Sequence, residues 1–86
     1  MTERKNAGYT IIQWLRVGNA EFVIGHNPRA SAPYVTWQCR DGDSYFWGHY
    51  FMEKHSAERD LLKRAGKELD VAEMQDKKNK GGRERG

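Results

Sequence analysis

Tyr34-Val35-Thr36-Trp37-Gln38-Cys39-Arg40-Asp41-Gly42-Asp43-Ser44-Tyr45-Phe46-Trp47-Gly48-His49-Tyr50-Phe51 decides the fold. Aromatic and β-branched residues, which favour strands, crowd both sides of Asp41-Gly42, a strong hairpin signal. The stretch predicts two antiparallel strands, 34–40 and 44–51. A two-residue turn, the preferred reading, pairs Trp37 with Phe46 and Thr36 with Trp47. Tyr34, Thr36, Gln38, Tyr45, Trp47, His49 and Phe51 then share one face, and Val35, Trp37, Cys39, Phe46 and Tyr50 share the other. A three-residue turn with a bulge at Gly42 pairs Trp37 with Tyr45 instead. That slip of one residue exchanges the faces of the second strand.

Upstream, Tyr9 to Val17 reads as a strand, Gly18-Asn19 as a hairpin turn and Glu21 to His26 as the returning strand. This turn sets Arg16 across from Glu21, an opposite-charge pair that supports the register, and Leu15 across from Phe22. Ile11, Leu15, Val17, Phe22 and Ile24 make the better core face. Residues 27–33 hold both prolines of the chain and read as a loop, because proline donates nothing to a strand ladder.

Downstream, from about Glu53 to residue 75, the pattern turns helical. Ala57, Leu61, Leu62, Ala65, Leu69 and Ala72 form one apolar stripe. Asp60 and Arg64 stand four apart in the favourable acid-first order. The expected fold is α+β: a four-stranded antiparallel sheet of two hairpins, with one C-terminal helix packed on one face. Residues 1–8 read as a flexible N-terminus, 9–76 as a single domain and 77–86 as a disordered basic tail.

Composition agrees with this partition. The chain has 86 residues, enough for one small domain, with 31% charged residues and 37% hydrophobic. Every aromatic falls between Tyr9 and Phe51, so the low mean hydropathy of −0.98 reflects the helix surface and tail rather than the body. No apolar run is long enough for a membrane span, and no secretory leader is visible. The single cysteine excludes a disulfide scaffold, so a cytoplasmic protein is expected. Lys77, Lys78, Lys80, Arg83 and Arg85 give residues 77–86 five cations against one acid, an electrostatic tail that attracts phosphate backbones or maintains solubility.

Motifs for catalysis are lacking. Cys39 lies on a strand with no histidine drawn to it by spacing, so a buried structural thiol is expected rather than a nucleophile. His26, His49 and His55 stand 23 and 6 residues apart without a paired cysteine, which does not fit a zinc site. Asp41 and Asp43 are explained by turn chemistry rather than calcium. No enzyme activity, metal or cofactor is expected. The informative set is Tyr34, Thr36, Gln38, Tyr45, Trp47 and His49, which mixes aromatic platforms with hydrogen-bonding groups. Such a face suits base stacking by a single-stranded nucleic acid. It equally suits a protein–protein surface, or serves as rim and core of a small sheet.

Gly25-His26-Asn27-Pro28, then Pro33-Tyr34-Val35-Thr36-Trp37-Gln38, then Tyr45-Phe46-Trp47-Gly48-His49-Tyr50 resembles small uncharacterised proteins of gut Clostridia and their integrative conjugative elements. The resemblance spans roughly residues 22–57. It implies a bacterial cytoplasmic setting on mobile DNA and implies no activity. The expected function is therefore a binding module associated with nucleic acid, with Trp47, Tyr45 and Tyr34 stacking on bases. The alternative is a protein–protein adaptor or self-associating regulatory protein, using the same face or an exposed sheet edge. A monomer or weak homodimer is expected.

Overall fold

Short connections dictate the order of the strands. The structure, a computed structural model, describes residues 4–79. The chain runs β1 (Lys5–Asn6), β2 (Tyr9–Val17), β3 (Ala20–His26), β4 (Tyr34–Arg40), β5 (Ser44–Phe51) and α1 (Lys54–Asn79). Each strand pairs antiparallel with the next, so the sheet order is β1-β2-β3-β4-β5. The α+β class is as expected, but the sheet has five strands curled into a half-barrel rather than four.

The extra strand lies in the segment expected to be flexible. Asn6 pairs with Tyr9 across a two-residue turn in which Ala7 (φ 53°) and Gly8 (φ 86°) both adopt left-handed backbone. Primed hairpin turns require that conformation. Alanine seldom adopts it, so the sequence carries no turn signal there. Arg4 extends the pairing, its carbonyl accepting from the Ile11 amide at 2.8 Å.

The hairpin of β2 and β3 has the expected register, with Arg16 opposite Glu21 and Leu15 opposite Phe22. One residue differs. The ladder shifts between Ile11 and Gln13, and this bulge turns Ile11 to the opposite face. Ile12 packs beside Leu15 and Val17 in its place.

Both faces of the sheet are apolar. On one, Ala20, Phe22 and Ile24 of β3 meet Ala57, Leu61 and Ala65 of α1. The alanines let the helix approach closely. The stripe is narrower than expected, because Leu62 and Leu69 are exposed; the side chain of Ala72 lies outside the described residues. On the other face, Tyr9, Ile11, Val23, Val35, Trp37 and Cys39 form a second core. This face is the concave one. The Tyr9 and Tyr50 rings, on β2 and β5, lie 6.2 Å apart, whereas three flat strand spacings span about 14 Å.

The Trp37 indole organises that concavity by lying across its neighbours. A Cβ added at Gly25 on β3 would stand 3.0 Å from its Cζ3, and one added at Gly48 on β5 would stand 2.9 Å from its Nε1. Two glycines therefore open the space one tryptophan fills. The loop 27–33 closes one margin, its Ala32 carbonyl accepting from the Tyr9 hydroxyl at 2.8 Å.

Candidate functional site

The site grows from the β4–β5 register, which has the three-residue turn of the alternative reading but not its pairing of Trp37 with Tyr45. Arg40 pairs with Ser44 across a three-residue turn, 41–43, with Asp41 and Gly42 both at positive φ. Cys39 therefore faces Tyr45, and Gln38 faces Phe46. Tyr45 thus leaves the face of Thr36, where it was expected, and joins the concave side near Trp37. Phe46 replaces it. The ladder then shifts between Gln38 and Thr36, and the extra residue returns His49 and Phe51 to the Thr36 face. Trp47 sits at this bulge with φ 57°. That backbone is normally reserved for glycine at such a position, and for a bulky side chain it costs about 1–2 kcal/mol.

Two helix residues hold the bulge. Arg64 donates to the carbonyl of Trp47, and through Nη1 to the carbonyl and hydroxyl of Thr36 at 3.2 and 3.1 Å. Asp60 Oδ2 accepts from the Thr36 hydroxyl at 2.6 Å and lies 2.9 Å from His49 Nδ1. Thr36 is fully buried, so these contacts satisfy a polar side chain that would otherwise be costly. Burial pushes the Asp60 carboxyl up, but bonds from Thr36 and His49 and the charge of Arg64 outweigh it and hold the group below its ordinary range. Burial lowers Arg64, opposed by Asp60. By sequence, Asp60 and Arg64 read as a pair four apart on one helix; in the fold both turn inward onto Thr36. Their roles are invisible in the helical pattern because they depend on which face the helix covers.

The expected binding face is thereby divided. Thr36 is buried under α1, and Tyr34 stacks on His26 at 4.7 Å while packing against the helix-side core. Tyr45 lies on the far side. Gln38, Trp47 and His49 remain together, at a cleft of about 320 Å³ also lined by Phe22, Arg64, Lys67 and Glu68. Lys77 and Lys78 fall within α1, which runs to Asn79 rather than ending near 75. Their side chains, with Lys80, Arg83 and Arg85, lie outside the described residues.

A second polar cluster fills the concave side. Arg4 makes a two-pronged pair with buried Glu21, at 3.0 and 3.2 Å, and its Nε donates to the Tyr45 hydroxyl. Arg16 is Glu21's register partner, yet Arg4 takes the carboxylate. The bonds from Arg4 outweigh burial and hold Glu21 below the ordinary carboxylate range. Cys39 is buried beside them, and burial together with the Glu21 charge pushes its thiol up, the reverse of an activated nucleophile. Among the described residues, no three His, Cys, Asp or Glu side chains group as metal ligands.

The remaining feature is an edge. Among the described residues β5 pairs with β4 alone, and Trp47 (69% exposed), Tyr50 (56%) and Met52 (68%) stand along or just beyond it. Among the described residues no helix is long and apolar enough to cross a membrane. The chain matches no protein-family model, no curated protein and no solved structure.

Proposed function

We propose that the chain is a small non-enzymatic binding module that adds an extended strand of a protein partner to the free edge of β5. The observation that carries this reading is the edge itself. Its eight residues, Ser44–Phe51, include no Asp, Glu, Lys, Arg or Pro. Natural sheets protect an edge with such residues or with a bulge, and of these β5 carries only the bulge at Trp47. Strand addition draws affinity from main-chain hydrogen bonds and specificity from pockets beside the edge. The cleft by Trp47 is such a pocket, offering an indole wall, the Gln38 amide and the opposite charges of Lys67 and Glu68 at its rim. The bulge at Trp47 confines regular pairing to short runs on either side, which favours a brief, side-chain-anchored contact over a long ladder. Trp47 itself supports the reading, since strained backbone under an exposed aromatic points to a role outside the fold.

Nucleic-acid binding has less support. It calls on Tyr34, Thr36, Gln38, Tyr45, Trp47 and His49 as one open surface, and these are split between a core, a cleft and the far face. The Arg64 guanidinium is already committed to carbonyls. A bacterial, cytoplasmic, mobile-element setting draws on the resemblance alone. The buried, raised thiol of Cys39 supports a non-enzymatic reading.

Selection of a displayed random-peptide library against the whole chain tests the proposal, with amide hydrogen exchange on the resulting complex. Enriched peptides with alternating apolar residues, protecting β5, are expected. No enrichment, combined with quenching of tryptophan fluorescence by poly-dT that weakens steeply with salt, would overturn it in favour of nucleic acid.

A further inference from the structure

We infer that the strand received by β5 is the β5 of a second copy of this chain, paired antiparallel about a two-fold axis. This inference rests on the strand-addition reading and names its partner. A two-fold contact sets a surface against itself, so it must be self-complementary. Ser44–Phe51 meets that demand because it holds no Asp, Glu, Lys or Arg to repel its own image. Its ends are complementary as well. Antiparallel pairing brings the turn with Asp41 and Asp43 of one copy towards the Lys54 end of the other. Glu53, the acid beside Lys54, lies 3.5 Å from His55 Nε2 of its own copy.

The apolar side chains point the same way. Trp47, Tyr50 and Met52 are all more than half exposed within six positions. Exposed apolar clusters mark contact surfaces, and methionine packs favourably against aromatic rings. In an antiparallel pair Trp47, beside the centre of Ser44–Phe51, stands next to its own image. The opposite edge explains why the contact closes rather than propagates. β1 is two residues long, too short to receive β5 of the next copy in a head-to-tail array. The bulge at Trp47 shortens the shared ladder, so the dimer is weak and concentration-dependent.

Sedimentation equilibrium of the intact chain over a concentration series tests this. The mass is expected to climb from 10.0 kDa towards twice that value. Trp47→Lys and Trp47→Glu each bring like charges together beside the axis, at the centre of Ser44–Phe51. Each is expected to weaken association at least about tenfold. The position is exposed, so circular dichroism should be unchanged. Leu62→Lys, exposed on α1 away from the edge, should leave association intact. A dimer that survives both edge variants would overturn the inference, because another surface would then be responsible. A monomer at every concentration that still takes displayed peptides on β5 would overturn the second copy and leave strand addition standing. A monomer that takes none would overturn both.

Discussion

Arg64, midway along α1, donates a hydrogen bond to the carbonyl of Trp47, the bulge residue of β5. One guanidinium thereby ties the helix to the place where the β4–β5 ladder changes register. Through the same contact the helix fixes which β5 side chains face inward and which stand on the free edge. Arg64→Met should cost about 2 kcal/mol, as for loss of charge-assisted bonds to buried acceptors. Chemical denaturation measures it, and amide exchange should accelerate on both sides of the bulge. An unchanged stability would mean that the bulge holds itself.

Trp47→Gly separates binding from stability. Glycine adopts positive φ freely, and Trp47 is 69% exposed, so little packing is lost. The variant should be about 1 kcal/mol more stable by denaturant unfolding, yet weaker in association. A destabilised variant would show that the indole contributes mainly to the fold.

Gly48→Ala and Gly25→Ala both press on Trp37. At Gly48 the new methyl meets the indole Nε1 at 2.9 Å, near an open edge that gives way. At Gly25 it meets Tyr9, Trp37 and Val35 at 2.9, 3.0 and 3.1 Å in the middle of the sheet. Overpacking of this kind costs about 1–3 kcal/mol, and Gly25→Ala should lie at the upper end. Thermal melts of the two variants should rank in that order.

Acid should weaken the fold through Glu21 and Asp60. Both carboxyls are held below their ordinary values in the folded chain. Their contribution is therefore complete above the unfolded carboxylate range, about pH 4. It is lost as pH falls through the lower folded values. A Glu21→Gln variant should be less stable at neutral pH, because Arg4 loses its charged partner, and its stability should fall less steeply below about pH 4. Parallel pH profiles for the two proteins would contradict the Arg4–Glu21 assignment.

Cys39 should resist thiol reagents until the chain unfolds, since burial and the Glu21 carboxylate both disfavour its thiolate. Labelling rates with and without denaturant measure this directly.

Periodicity and turn residues made much of the sheet legible. Gly18-Asn19 with the Arg16 and Glu21 charges specified the first hairpin register. Two isoleucines in succession concealed the bulge beside Ile12, because either fits a core. Tyr45, Phe46 and Trp47 did the same on β5. Three consecutive aromatics satisfy a two-residue period in any register, so only the turn could decide. Asp41-Gly42-Asp43 supports turns of two or three residues. The shared contacts of Asp60 and Arg64 with Thr36 link positions at least 24 residues apart and left no local pattern.

The account centres on β5 as the edge that takes a partner strand. Amide hydrogen exchange of the intact chain, followed residue by residue as protein concentration rises, tests this most directly. Exchange within Ser44–Phe51 should slow with concentration, while the amides of α1 and β3 keep their rates. Slowing confined to α1 or to the concave face, or rates on β5 that ignore concentration and added peptide alike, would contradict the account.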